Sequence, residues 1–221
     1  MNIKAEGLNK NYYKKDSSGV NVLKNINLDI TAGQKVALTG PSGAGKSTLI
    51  HILGLMDRPS SGKVYIDGID CFAKNDKYLR NTRKESVGFV FQFHYLMPDF
   101  TVFENILIPV WKDKDLKLEQ ARELLKKAGL FHRKDHYPSE LSGGEQQRAA
   151  VVRALINKPG VIFADEPTGN LDRRTGLEIE SLLFAFAADI GATLVLVTHD
   201  ESLAEKTDKI IRIADGRVLQ A

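Results

Sequence analysis

The nine residues from Gly40 to Thr48, GPSGAGKST, constrain this chain more than any others. They follow KVALTG (35–40), which reads as a strand ending in glycine, and they open KSTLIHILGLM, a helical pattern. A glycine-rich stretch between a strand and a helix is the context of a phosphate-binding loop. Gly40, Gly43 and Gly45 let the backbone wrap an anion without Cβ clashes, and the successive amides that follow Pro41 point inward as a nest. Within that loop Ser42 and Ala44 complete the cradle. Lys46 brings a mobile positive charge to the β- and γ-phosphates. Ser47 offers a hydroxyl to Mg2+, and Thr48 sits where it reaches the α-phosphate. A glycine-rich turn that merely caps a helix is the plainer alternative, and the flanking strand and helix argue against it.

The rest of the chain reads as the fold such a loop needs. VGFVFQ (87–92), GVIFADE (160–166) and ATLVLVTHD (192–200) are continuous apolar runs, each ending in polar residues. TGLEIESLLFAFAADIG is apolar along one helical face and closed by Gly191. Apolar strands alternating with helices predict a parallel sheet covered on both faces. NIKAEGLNKNYY, NVLKNINLDI and GKVYIDG read instead as strands joined by turns, an antiparallel sheet beside the core. Residues 93–157 are mostly helical in pattern, including LKLEQARELLKKAGL closed by Gly129. The expected organisation is therefore one domain over 1–221. Segments 1–92 and 158–221 form the core with its β subdomain, and 93–157 is a helical insertion.

Three strand ends carry further chemistry. Asp165 closes VIFAD and would hold magnesium through water, as phosphate-loop enzymes require of a neighbouring strand. Glu166 follows it, placed to orient and deprotonate an attacking water. Gln92 ends VGFVFQ, where an amide reaches both a metal and a water and could couple nucleotide state to the insertion. His199, at the carboxyl edge of the same sheet, could bond a γ-phosphate and the attacking water. A second anion site appears in LSGGEQQR, Leu141 to Arg148: Ser142 is a good N-cap and two glycines leave amides bare at a helix start.

Composition excludes several other classes. Net charge is +3, too small to argue for nucleic acid, and no nucleic-acid partner is expected. The single cysteine, Cys71, excludes a disulfide scaffold or a cysteine metal site. HRKDH, with His132 and His136 four apart, lacks the glutamate of a zincin motif and reads as a solvated basic turn. No apolar signal core opens the chain, and runs such as LLFAFAA fall short of a membrane span. A soluble protein is expected, whose role at any membrane needs a partner.

Taken in order, GPSGAGKST, Gln92, LSGGEQQR, VIFADE, GNLD and THD resemble the nucleotide-binding subunit of ABC transporters along the whole chain. The resemblance implies an α/β fold: a P-loop NTPase with a RecA-like parallel sheet core, an N-terminal antiparallel β subdomain and an inserted α-helical subdomain. It implies a head-to-tail homodimer around two ATP, with Mg2+. The second anion site then serves the partner's ATP, with Ser142, Gly143 and Gly144 donating to its γ-phosphate. Asp172, in GNLD, would signal across the interface. The family stacks an aromatic ring on adenine; counting from the first strand favours Tyr12, and counting back from VLKN favours Tyr13. No catalytic position departs from the family pattern, which implies an active ATPase using Lys46, Glu166 and His199.

FQFHYLMPDFTVFENILIP, YPSELSGGE and ADEPTGNLD look most like the ATPase of lipoprotein-releasing systems. That would place the chain peripherally on the cytoplasmic face of the bacterial inner membrane, docked to integral membrane subunits near residues 93–111. Some of Phe93, His94, Tyr95, Leu96 and Met97 should then be exposed in the isolated subunit. Macrolide-efflux, antimicrobial-peptide-efflux and cell-division ABC ATPases share similar motifs and are the alternatives.

Overall fold

A computed structural model describes residues 1–13 and 19–220. Two sheets carry the fold. The first is antiparallel, ordered β2-β1-β4-β5, from β1 (Ile3–Tyr13), β2 (Gly19–Ile30), β4 (Ser61–Ile66) and the short β5 (Ile69–Asp70). Its β2 buries Leu23 and then Ile26, Leu28 and Ile30. Between Leu23 and Ile26 the alternation slips by one residue. Asn25 there is left-handed (φ 54), and the pairing of β1 with β2 shifts register between Leu8 and Lys10. The slip returns the following apolar residues to the core face.

The second sheet has the order β10-β9-β3-β8-β7-β6. Its strands are β3 (Lys35–Thr39), β6 (Val87–Phe91), β7 (Val161–Asp165), β8 (Thr193–Val197), β9 (Lys209–Ala214) and β10 (Arg217–Gln220). The first five are parallel and only β10 runs antiparallel, on β9. Both faces are buried, which is why the strands read as unbroken apolar runs. Along β7, Val161 and Phe163 join a cluster with α1 (Lys46–Leu53) and the antiparallel sheet. Ile162 and Ala164 join the opposite cluster. That second cluster runs without a break into the helical segment through α3 (Val102–Leu107), α4 (Lys114–Lys127) and α5 (Gly143–Leu155), and also takes in α6 (Arg173–Ile190).

The segment 93–157 is less uniformly helical than its pattern predicts. Residues 93–101 have no regular structure, and Ile108–Asp113, with Pro109 in its first turn, is a 3-10 helix. Two further elements lie outside the sequence reading. One is α2 (Asp76–Ser86), capped by Asn75, which buries only Leu79 and so lacks an apolar stripe. The other is the β9–β10 hairpin, whose Asp215–Gly216 corner has both φ angles positive (46 and 76). The short α7 (Glu201–Ala204) follows β8. Among the described residues, no helix is long and apolar enough to cross a membrane.

Candidate active site

Register puts the proposed site residues together. In the parallel sheet Phe91 pairs with Asp165, Asp165 with Val197, and Val197 with Leu38. Four strands thus end in one row. Gln92, Glu166, the Thr198–His199 pair and the phosphate loop leave that row at the same carboxyl edge, where open α/β sheets bind ligands.

The phosphate loop has the backbone its glycines foretell. Gly40, Gly43 and Gly45 all have positive φ (144, 76 and 99). A Cβ at Gly40 would lie 1.9 Å from the Ile213 carbonyl oxygen of β9, whereas one at Gly43 meets nothing within 4 Å. Gly40 is therefore there for packing, and the Gly43 side is open for an anion. Lys46, 7% exposed, donates from Nζ to the carbonyls of Gly40 and Pro41, both at 2.9 Å. Its charge is folded over the loop, near enough to Asp165 to act on that carboxyl.

The Ser47 hydroxyl donates to Asp165 Oδ1 at 3.0 Å. Burial, partly offset by that hydroxyl, raises the Asp165 pKa above the usual aspartate value. A hydroxyl and a carboxylate side by side are hard oxygen donors, the set that suits Mg2+ bound together with phosphates. Among the described residues no three His, Cys, Asp or Glu side chains converge on a point. A cation here would thus draw most of its ligands from nucleotide and water, as Mg2+ does. His136, one of the paired histidines, hydrogen-bonds Arg133 at 3.1 Å.

Glu166 holds a left-handed backbone (φ 44), uncommon outside glycine, and its N–H donates to the Val197 carbonyl at 3.1 Å. Strain of this kind persists where surrounding structure enforces it, often at functional positions. His199 Nδ1 lies 3.5 Å from Glu166 Oε2, and the imidazole is largely exposed. Gln92 Nε2 donates to Asn170 Oδ1 at 3.1 Å, and Asn170 Nδ2 returns a bond to the Gln92 carbonyl at 3.3 Å. Asn170 lies within GNLD yet has no role in the sequence reading, which singled out only Asp172 there. No sequence signal marks it, because only the fold brings it to Gln92, 78 positions away. Asp172 caps α6, accepting from the N–H groups of Arg174 and Thr175 at 3.1 Å.

The Ser142–Gly144 turn is capped as LSGGEQQR predicts. Ser142 accepts from Glu145 N–H, and Glu145 accepts from Ser142 N–H at 2.9 Å, a reciprocal capping box. Gly144 packs on α6: a Cβ there would lie 2.4 Å from Thr175 Cγ2. Ser142, Gly143 and Gly144 line a hollow with Asn170, Asp172 and Arg174, and that hollow contains no residue of the phosphate loop.

The two tyrosines part company. The Tyr12 hydroxyl donates to Asp57 Oδ2 at 2.8 Å and lies near Thr48, the last loop residue. Burial, with the Asp57 bond, raises its pKa. Tyr13 is 75% exposed, with its ring against Gly19. Phe93, Tyr95 and Met97 are exposed, whereas His94 and Leu96 turn inward. His94 reaches the backbone of Gly143, and burial lowers its pKa.

Comparison with known proteins fits this geometry. A family model described as ABC transporter matches residues 23–169. The chain is 49% identical over 211 residues to the lipoprotein-releasing system ATP-binding protein LolD of Geobacter metallireducens, covering 94% of this chain and 93% of that protein. It is 45% identical to LolD of Bacteroides fragilis, covering 98% of this chain and 100% of that one. Among solved structures it resembles the dimeric ATP-binding cassette MJ0796 in a post-hydrolysis state with ADP and Pi. That likeness has a TM-score of 0.90 at 40% identity, over 99% of this chain and 97% of the other.

Proposed function

The chain belongs to the ABC transporter family, and from that premise we propose that it is the ATP-hydrolysing subunit of a transporter that releases lipoproteins from the inner membrane. Two copies close head to tail around two ATP, each nucleotide lying between one phosphate loop and the other copy's Ser142–Gly144 turn. One observation carries the two-copy reading. The turn is built to bind an anion, yet it opens on a hollow that its own phosphate loop does not reach.

Within each site, Tyr12 stacks on adenine. The loop from Gly40 to Thr48 cradles the phosphates, and Lys46 swings from its carbonyls to the β- and γ-phosphates. Ser47, Asp165 and Gln92 would hold Mg2+, which would supply positive charge to offset that of the phosphates. Glu166 orients the attacking water and accepts its proton. His199 bonds the γ-phosphate, and Asp172 passes the state of one site to the other. The subunit works on the cytoplasmic face of the membrane, held there by integral partners. Exposed Phe93, Tyr95, Met97 and Trp111 supply the docking surface. The 49% identity to a lipoprotein-releasing ATPase over 94% of the chain supports the cargo.

Glu166→Gln tests both halves of the proposal. Hydrolysis should fall by roughly 100- to 10,000-fold while ATP binding and ATP-dependent dimerisation persist. Full turnover by this variant would remove Glu166 from its role. The ATP-trapped variant, extracted from native membranes, should carry membrane subunits whose depletion strands lipoproteins in the inner membrane. Efflux or cell-division subunits in their place would keep the ATPase and discard the cargo.

A further inference from the structure

Gln147 lies on the inward face of α5, 1% exposed, two residues past the capping Glu145. Its Nε2 donates to two backbone carbonyls, Phe91 at 2.9 Å and Pro167 at 2.7 Å. Two carbonyl acceptors admit only one orientation of the amide, because its own oxygen has no proton to give. Gln147 Oε1 is left buried without a partner. An apolar side chain of the same length would remove that orphan oxygen but take the donor from both carbonyls, so the amide trades one unpaired acceptor for two bonds to backbone.

The two carbonyls are not arbitrary. Phe91 immediately precedes Gln92, and Pro167 immediately follows Glu166. Arg153, in the last turn of the same helix, donates to the carbonyls of Tyr95 at 2.6 Å and His94 at 2.7 Å. The α5 helix therefore grips the segment after β6 at two points. Among the described residues, Gln147 supplies the one hydrogen bond from α5 to the backbone beside Glu166. A helix moves as a rigid rod, and a planar amide bonded to two loops ties both to it.

We infer that Gln147 is a positioning residue: it transmits displacement of α5, whose first turn meets the partner's ATP, to both Gln92 and Glu166 at its own chain's ATP. The inference rests on the two-copy reading above. It gives that reading a physical route by which one nucleotide sets the geometry of hydrolysis at the other.

The test uses the full chain carrying Gln147→Met, which keeps the length and removes the donor. Misplacing reacting groups by a fraction of an ångström costs rate rather than binding, so kcat should fall by about tenfold or more while KM for ATP stays within about twofold. The Gln147→Met/Glu166→Gln double variant should still dimerise with ATP, because the Ser142–Gly144 amides are untouched. Gln147→Glu, which sets an acceptor against the same two carbonyls, is the second variant and should lose kcat likewise. A kcat near wild type in either folded variant overturns the inference. So does a joint fall in ATP affinity, kcat and melting temperature, the pattern of a loosened core. Failure of Glu166→Gln alone to dimerise with ATP overturns the two-copy reading and this inference with it, so the two failures are read from different proteins.

Discussion

Charges at the candidate site are placed by local backbone more than by ion pairing. Glu145 shows this best. The Ser142 N–H, more than any other group, holds its carboxyl below the ordinary glutamate value of 4.5, with help from the Ser142 hydroxyl and Arg133. Arg133 Nε lies 3.0 Å from Glu145 Oε1. Because the folded pKa is the depressed one, this carboxylate's stabilisation is complete above the unfolded pKa. It is lost as pH falls through the folded value. Glu145→Gln keeps a capping amide but gives up the charge. It should melt below wild type near about pH 7, and the gap should close toward about pH 3. Melting curves across that range check it, and a gap that stays constant in acid would remove the ionic contribution. At this scale the sequence was highly legible. The roles proposed for Lys46, Asp165, Glu166 and His199 rest on residue types that chemistry dictates, at positions set by strand ends. Asn170 and Gln147 were not legible, because an amide's role depends on which carbonyl or amide faces it.

Elements follow the same division. Helix α5 could be read because its cap, Ser142, is local. In α3, Thr101 accepts from Glu104 N–H and Glu104 bonds Thr101 N–H at 2.8 Å. Thr101→Ala should cost about 1 kcal/mol and lower the melting temperature by roughly 2–4 °C, with ATP hydrolysis by the isolated chain unchanged. Calorimetry beside a phosphate-release assay measures both. Helix α2 escaped the sequence reading for the opposite reason. It buries one side chain, Leu79, so hydrophobic periodicity had nothing to report. In β2 the apolar alternation breaks at Asn25, and only the pairing with β1 shows that a bulge restores it.

Across the whole molecule, residues far apart in sequence meet on two surfaces. One is the carboxyl edge of the parallel sheet, where Ser47 meets Asp165 across 118 positions. The other is the face after β6, where Phe93, Tyr95 and Met97 are exposed, Leu96 packs on the core, and Arg153, 58 positions on, holds the carbonyl of left-handed Tyr95 (φ 46). Phe93→Asp and Met97→Asp, at exposed positions, should leave ATP hydrolysis by the isolated chain within about twofold and its stability nearly unchanged. They should abolish co-purification with the membrane subunits, and retention of those subunits by both variants would move the docking surface elsewhere. The sequence by itself determined the phosphate loop, the caps, the two classes of strand and the polar residues that end them. Each is set within a few residues by backbone sterics, hydrogen bonding or burial on alternate sides. Only the tertiary structure decided the strand order β9-β3-β8-β7-β6, the register that levels four strand ends, and the contacts of Gln92 with Asn170 and of Gln147 with two loops. Strands pair through backbone groups that every residue carries. The choice of neighbour is therefore made by how distant helices and sheets pack, not by the letters of any one strand.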